Sequence, residues 1–297
     1  MPEPTSDPGF AVPPLGCDCH MHVFGDPARF PPAAWRAYDP TAMELSEYEA
    51  VAAALGLGRV VFVQPSAYGT DNACMIQALR ARPHTSRGVA VIGDATSEAE
   101  LAEMAALGVR GVRLNLVSNG EPDAVAAIAQ LRAAAARVRP FGWHLQIFAV
   151  PGLLAGLAPA IRDLGVPGGV PVVIDHMGAV DGRLAASRPG FDALLGLLAD
   201  GCCWVKLSGA NRVSRQAGGY RDAIPVMQAL AAANPDRVVW GTDWPHIGPH
   251  TPGAPKPVVY MKLDNPGLLR LLSEAVPDAA GRHRILVDNP ARLYGFG

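Results

Sequence analysis

The sequence predicts an α/β fold, a (β/α)8 TIM barrel that forms a single domain. Two observations predict it. Short runs rich in β-branched residues alternate along the whole chain with alanine- and leucine-rich segments of helical period, which is the pattern of βα units around a parallel sheet. The chain has 297 residues, a length that suits one barrel. We assign residues 1–16 to an N-terminal extension and residues 17–297 to the barrel.

The predicted strands are runs of mainly apolar residues; in chain order they are 17–23, 59–64, 88–93, 111–116, 142–148, 170–177, 203–208 and 237–241. Segments with helical period alternate with them, at 44–55, 73–81, 98–106, 123–137, 153–164, 191–198, 222–233 and 267–275. Gly56 and Gly108 follow two of these segments, where glycine relieves a left-handed helix cap. The proline-rich segment 245–266 is expected to form a rim or lid, because long loops commonly carry function.

Charge and composition exclude several classes of protein. The net charge is −2 and no run of basic residues occurs, so no nucleic-acid partner is expected. The chain has no stretch of eighteen apolar residues, so no membrane partner is expected. The first residues lack the features of a signal peptide, and we therefore expect a cytoplasmic protein. Five unevenly spaced cysteines do not suggest a disulfide framework. The sequence leaves the oligomeric state open.

The first predicted strand carries ionisable residues on one face. Asp18, His20 and His22 alternate with apolar residues, and the strand period of two puts them on the same side. The apolar side suits the helix layer, so we expect the polar side to face the barrel interior. Histidines about 7 Å apart along a strand can converge on one atom. Taken alone, the pair could equally be hydrogen-bonded interior residues.

Two other predicted strands end in ionisable residues. Asp175 and His176 follow the apolar run of the sixth strand, and Asp243 follows the eighth. Such groups are costly after a buried run unless they are paired or used. Active sites of these barrels lie at the C-terminal ends of the strands, and strands one and eight are neighbours. We therefore expect His20, His22, His176 and Asp243 to form one cluster.

Five segments resemble those of a known family: 18–25, 111–113, 175–178, 240–246 and 287–294. From about residue 17 to the C-terminus, the chain is similar to the amidohydrolase superfamily, in the branch related to 2-pyrone-4,6-dicarboxylate lactonase. The resemblance implies a (β/α)8 barrel that hydrolyses a small lactone. It is much less specific for the substrate.

The resemblance also implies roles for the cluster. Asp243 would act as general base on the attacking water, and His20, His22 and His176 would polarise the lactone carbonyl directly or through a metal. Ester hydrolysis needs a nucleophile that has lost its proton and positive character where the oxyanion develops. We predict a hydrolase that opens a small carboxylated or sugar-acid lactone.

Further polar residues are candidates for substrate binding. Arg113 and Arg212 match arginines that bind substrate in the lactonase, and a guanidinium suits planar recognition of a carboxylate. Arg113 could equally form a salt bridge with an acidic neighbour such as Asp18. The remaining candidates, which could be ordinary loop residues, are Tyr38, Ser66, Tyr68, Asn115 and His246.

Three positions depart from the dicarboxylate lactonase. Asn119 and Ala179 stand where the lactonase has arginines, and Phe148 replaces a tyrosine. A hydrogen bond to a charged group contributes roughly 1.5–3 kcal/mol, so the loss of two guanidinium groups should weaken the binding of a dianion. We predict that 2-pyrone-4,6-dicarboxylate is a poor substrate, and that a lactone with one carboxylate or an aldonolactone is a better one.

The cluster could also hold a metal, because three imidazoles and one carboxylate suit zinc. A two-metal site bridged by a carboxylated lysine is not expected. Arg113 occupies the position of that lysine, and Lys206 lies too early in strand seven. His144 is expected to be an interior structural residue. A metal-free enzyme and a single zinc ion both stay open, and we favour the metal-free enzyme because Arg113 adds positive charge.

Three other functions are compatible with parts of this pattern. A decarboxylase or a lactone isomerase of the same superfamily would use the same four residues. A non-catalytic small-molecule-binding barrel is the third, although a pure binder has no need of a general base such as Asp243.

Overall fold

The computed structural model describes residues 7–118, 123–183, 188–248 and 257–297. Eight parallel strands pair in sequence order, and they are β1 (Cys17–Met21), β2 (Arg59–Val63), β3 (Ser86–Ala90), β4 (Val109–Asn115), β5 (His144–Phe148), β6 (Val172–Ile174), β7 (Trp204–Leu207) and β8 (Val238–Trp240). A parallel bridge between Met21 and Trp244 joins the last strand region to the first. The predicted (β/α)8 barrel is therefore confirmed.

Helices lie between and after the strands; they are α1 (Leu45–Leu55), α2 (Ala73–Ala81), α3 (Glu98–Ala106), α4 (Ala124–Val138), α5 (Pro151–Leu164), α6 (Arg188–Ala199), α7 (Ala210–Val213), α8 (Ile224–Ala233), α9 (Asn265–Ala275), α10 (Ala279–His283) and α11 (Asn289–Tyr294). All eight predicted helices correspond to one of these. Local sequence sets the ends of these helices. At the start of α3, Ser97 accepts a hydrogen bond from the Glu100 amide. At the end of α1, Gly56 adopts a left-handed conformation with a φ of 73°.

Two predicted strands differ from the structure by five residues each: the third, which spans Ser86–Ala90 instead of 88–93, and the sixth. We expected residues 170–177 to be extended, but β6 ends at Ile174. His176 and Met177 then adopt left-handed conformations, with φ values of 49° and 55°. Non-glycine residues rarely adopt such angles, so composition did not reveal this turn. After this turn, His176 Nε2 lies 3.8 Å from Asp243 Oδ1.

Apolar side chains fill the N-terminal end of the barrel, together with Tyr294 and Phe296 from the C-terminal segment.

Three further expectations concern cysteines, membrane helices and the rim. All five cysteines are free thiols. In the described ranges, no helix is long and apolar enough to cross a membrane. Of the predicted rim segment 245–266, residues 249–256 lie outside the described residues.

Candidate active site

The C-terminal ends of the strands surround a cavity of about 30 Å3. Its walls include Tyr38, Ser66, Arg113, Asn115 and Arg212 from the predicted substrate-binding set, and also His22, His176, Asp243, Ser118, Phe148 and Ile247. This volume holds a water molecule and is well below the range for small-molecule pockets. The cavity mixes polar groups with two apolar walls.

Three imidazoles converge on one oxygen at the floor of the cavity. Asp243 Oδ1 lies 3.7 Å from His20 Nε2, 3.7 Å from His22 Nε2 and 3.8 Å from His176 Nε2. His20 Nε2 and Asp243 Oδ1 are buried, and neither has a hydrogen-bond partner in the described part of the chain. The cluster predicted from the strand ends is therefore assembled, with two unsatisfied polar atoms facing each other.

The backbone around Asp243 fixes its position. Its φ is 62°, a conformation that side-chain-bearing residues adopt at a cost and that is common at functional sites. The Asp243 amide donates to His20 O over 2.8 Å, and the His22 amide donates to Trp244 O over 2.8 Å. The segment after β8 is thus hydrogen-bonded directly to the strand that carries the two histidines.

The second ring nitrogen of each histidine is also occupied. His22 Nδ1 lies 2.8 Å from Val63 O, and because a carbonyl only accepts, this nitrogen carries the proton and leaves a lone pair on Nε2. His20 Nδ1 lies 3.2 Å from Asp175 Oδ1 and 3.4 Å from Lys206 Nζ, two contacts that call for opposite protonation of this nitrogen. His176 Nδ1 lies 2.9 Å from Ser208 Oγ, which can donate to it. His176 can therefore present Nε2–H to the cavity.

Burial keeps the three imidazoles neutral. It lowers the pKa of His22 to about 4, helped by Arg113 and opposed by Asp243. It also lowers the pKa of His176 to about 4, with Asp243 again opposing. The pKa of His20 is lowered as well, by burial first and against the effect of Asp175.

Burial opposes ionisation of Asp243, but Arg212 and the three histidines outweigh it and hold its pKa well below the usual range. Arg212 Nε lies 2.8 Å from Asp243 Oδ2. One oxygen of the carboxylate is therefore held by a guanidinium, and the other faces the imidazoles as a charged acceptor.

Arg113 both lines the cavity and forms a salt bridge, but the partner is not Asp18, the neighbour we suggested. Its Nε lies 3.0 Å from Asp175 Oδ2. Asp18 instead accepts hydrogen bonds from the backbone and side chain of Thr242 and from the Tyr48 hydroxyl. Asp18 is unavailable to Arg113 because other groups already occupy its oxygens.

Two predicted substrate-binding residues lie away from the cavity walls formed by described residues. The Tyr68 hydroxyl accepts a hydrogen bond from the Gly25 amide over 3.1 Å, and His246 Nε2 lies 2.9 Å from Asn265 Oδ1. Asn115 does line the cavity, but its Nδ2 donates to Ser118 Oγ over 2.8 Å. Its amide group thus shapes the loop after β4.

Several residues of the site were not in the predicted set. Phe148 forms a wall, with its ring centre 5.0 Å from that of His176. Asp175 connects His20 to Arg113, and the charged pair Asp175–His176 was a signal for it. Lys206 lies beneath His20, with Nζ 3.4 Å from His20 Nδ1. Burial lowers the pKa of Lys206 to about 8, opposed by Asp175, so the amine still carries its proton at pH 7.

The cluster fits a single divalent ion by its donor chemistry. His20, His22 and Asp243 offer ligand atoms within 4.8 Å of one another, and the Nδ1 contacts described above are of the kind that orient metal-binding histidines. The surrounding charge opposes such an ion. Arg113, Arg212 and Lys206 each lower the pKa of one of the histidines.

A parallel (β/α)8 barrel with three histidines and an aspartate at its C-terminal mouth has the architecture of enzymes that hydrolyse substrates with an activated water. Residues 17–296 match the family model described as Amidohydrolase. The chain therefore belongs to the amidohydrolase family.

Relatives within this family include enzymes named as hydrolases of lactones and pyrones. A 4-sulfomuconolactone hydrolase of Rhizobium radiobacter is 35% identical over 287 residues, which cover 96% of this chain and 92% of the relative. A 2-pyrone-4,6-dicarboxylate hydrolase of Comamonas testosteroni is 33% identical over 304 residues, which cover 97% of this chain and 93% of the relative. A solved structure from Pseudomonas putida, a candidate 2-pyrone-4,6-dicarboxylic acid hydrolase, is 33% identical with a TM-score of 0.79 and covers 96% of this chain and 99% of that one.

Proposed function

We propose that this protein hydrolyses a small lactone that carries one anionic substituent, by attack of a water from which Asp243 takes the proton. Two relatives are named as hydrolases of 4-sulfomuconolactone and of 2-pyrone-4,6-dicarboxylate, and neither isomerisation nor decarboxylation is favoured over hydrolysis. The observation that carries the mechanism is the position of Asp243 Oδ1, which faces three imidazole Nε2 atoms at 3.7, 3.7 and 3.8 Å.

The protonation of the histidines divides their roles. The unprotonated Nε2 of His22 accepts a hydrogen bond, so it orients the water beside Asp243. His176 receives a hydrogen bond from Ser208 and donates its Nε2–H to the lactone carbonyl, where negative charge develops. This role for His22 differs from the direct polarisation of the carbonyl that the resemblance implied.

The reaction then balances within these residues. The water oxygen bonds to the carbonyl carbon, and its proton passes to Asp243 Oδ1. When the tetrahedral intermediate collapses, the bond from the carbonyl carbon to the ring oxygen breaks. Asp243 returns the proton to that oxygen. The product is a hydroxy acid, and the Asp243 carboxylate is ready for another cycle. Arg212 holds the other carboxylate oxygen throughout.

A divalent ion held by His20, His22 and Asp243 would polarise a bound water or carbonyl. We propose that hydrolysis does not need it, because the neutral histidines are already surrounded by three cationic side chains. Arg113 and Arg212 supply fixed positive charge at the cavity wall instead.

The substrate is proposed from the charges of the cavity. Arg212 is paired with Asp243 and Arg113 with Asp175, but Asp175 also faces Lys206. We therefore assign Arg113 to an anionic substituent. Hydroxyl groups of Tyr38 and Ser66 suit uncharged polar groups. Ala179 places no charge beside the site, and Asn119 lies outside the described residues. Our prediction therefore stays that 2-pyrone-4,6-dicarboxylate is a poor substrate.

A panel of lactones tests the proposed function. It contains a butenolide with one carboxymethyl group, an aldonolactone, and 2-pyrone-4,6-dicarboxylate, with acid release followed by pH-stat and products by NMR. We expect ring-opened acid from a singly charged lactone or an aldonolactone, with kcat/KM at least about tenfold above that for the dicarboxylate. A retained ring or release of carbon dioxide would contradict hydrolysis. Fast turnover of the dicarboxylate would contradict the substrate assignment alone.

A further inference from the structure

Lys206 is a buried cation whose role the proposed mechanism does not explain. It lies on β7, and its side chain is fully inaccessible to solvent. Nζ donates to Cys19 O over 2.8 Å and to Gln146 Oε1 over 2.6 Å. Lys206 is not among the described residues that line the cavity, so it does not touch a substrate there. A buried lysine is costly unless it is paired.

The acidic partner of Lys206 is shared with Arg113. Asp175 Oδ1 lies 3.8 Å from Lys206 Nζ, and Asp175 Oδ2 lies 3.0 Å from Arg113 Nε. Gln146 links the two cations, because its Nε2 donates to Asp175 Oδ2 over 3.1 Å while its Oε1 accepts from Lys206. One carboxylate therefore faces two cations, and only Arg113 reaches the cavity.

The charge of this cluster depends on Lys206. Among the described residues, two carboxylates, those of Asp175 and Asp243, face three cations, those of Arg113, Arg212 and Lys206. Without Lys206 the cluster would lose this surplus of positive charge, and Asp175 would neutralise Arg113. Burial weakens solvent screening here, so this difference would act on a ligand in the cavity.

We propose that Lys206 is a positioning residue that balances the charge of Asp175, so that Arg113 keeps its positive charge for the anionic substituent of the substrate. The inference rests on the proposed function, since it concerns how that lactone is selected. Lys206 acts through Asp175 and Arg113, without contact to the reacting atoms.

A matched pair of substrates tests this role: a carboxymethyl butenolide and its methyl ester, which differ mainly in charge. The measured quantity is the ratio of kcat/KM for the acid to kcat/KM for the ester. Lys206→Met is expected to lower this ratio about tenfold. Asp175→Asn is expected to raise it, because it leaves both cations unopposed.

The double variant Lys206→Met/Asp175→Asn is the decisive control. It removes both members of the buried pair and replaces them with neutral side chains of similar volume, a change that buried pairs often tolerate. We expect the ratio to return to within about threefold of wild type, even if kcat falls because Asp175 no longer orients His20. A purely structural role for Lys206 would not produce this rescue.

The outcomes separate the two proposals. Wild-type protein that hydrolyses neither lactone overturns the proposed function for this substrate class. Wild-type protein that prefers the acid, together with a Lys206→Met variant of unchanged ratio or a double variant without rescue, overturns the role of Lys206 and leaves the proposed function standing. If Lys206→Met does not fold, the two Asp175 variants still decide the matter by the same ratio.

Discussion

Two buried aspartates stand close to the same histidines and have opposite surroundings. Asp18 accepts hydrogen bonds from the Thr242 amide (2.9 Å), the Thr242 hydroxyl (2.6 Å), the His20 amide (3.1 Å) and the Tyr48 hydroxyl (3.1 Å). Asp243 has one oxygen on Arg212, and its other oxygen has no hydrogen-bond partner among the described residues. Asp18 is fully used by the fold, whereas Asp243 keeps one oxygen available.

Their ionisation differs in the same way. Burial raises the pKa of Asp18 to about 6, and its hydrogen bonds oppose the shift. Asp243 is equally buried, but adjacent cationic and imidazole groups lower its pKa. A carboxyl group that is saturated by neutral donors ties strands together, while one held charged with a free oxygen can accept a proton from substrate or water. The contrast supports a structural role for Asp18 and the proposed catalytic role of Asp243.

The largest expected effect is on catalysis by Asp243→Asn. Because the amide cannot take a proton from water, kcat should fall about 10^3-fold, while the unfolding midpoint should not decrease. Lactone hydrolysis and chemical denaturation of the same preparation measure the two quantities. Activity within tenfold of wild type would remove Asp243 from the role of general base.

The next largest effect is on the pH dependence of stability, on which the two histidines and Asp18 act in opposite directions. The pKa values of His22 and His176 are lowered to about 4, so the unfolded chain binds their protons first. Each should cost the fold about 2 kcal/mol between pH 7 and pH 5. Asp18, whose pKa is raised, contributes stability that increases as pH falls.

Denaturant titrations at pH 7 and pH 5 measure this dependence. His22→Asn and His176→Asn should each show a smaller loss of stability at pH 5 than wild type, and Asp18→Asn should show a larger one. Identical losses in all four proteins would mean that these groups do not have the shifted pKa values described here.

Asp18→Asn should destabilise the fold by about 2 kcal/mol at pH 7, because an amide cannot replace all the accepted hydrogen bonds. Activity per folded molecule should fall less than tenfold, in contrast to the variant of Asp243. Urea denaturation gives the first value, and kcat corrected for the folded fraction gives the second. The reverse pattern, with stability kept and activity lost, would assign Asp18 to catalysis.

Metal removal should have the smallest effect. After chelation and gel filtration, with residual metal measured by plasma mass spectrometry, kcat should change by less than about twofold, and added zinc should not raise it. Complete loss of activity on stripping, restored by zinc, would instead place an ion on His20, His22 and Asp243.

The sequence predicted the barrel and the cluster because both follow from the order of apolar runs and ionisable residues along the chain. Apolar runs that end in His176 or Asp243 put ionisable groups at one edge of a parallel sheet whatever the loops do. The contacts of Tyr68 and His246 could not be predicted, because their partners lie on other loops. The early place of Lys206 in strand seven argues against a metal-bridging role, whereas its link to Asp175 depends on the register between strands.

Single-turnover hydrolysis in 18O-labelled water tests the central claim most directly. With enzyme in excess over lactone, the account predicts one labelled oxygen in the carboxylate of the ring-opened product and no label in Asp243, since the water attacks the carbonyl carbon directly. Label in the Asp243 carboxylate, or a product that retains its ring without label, would contradict it.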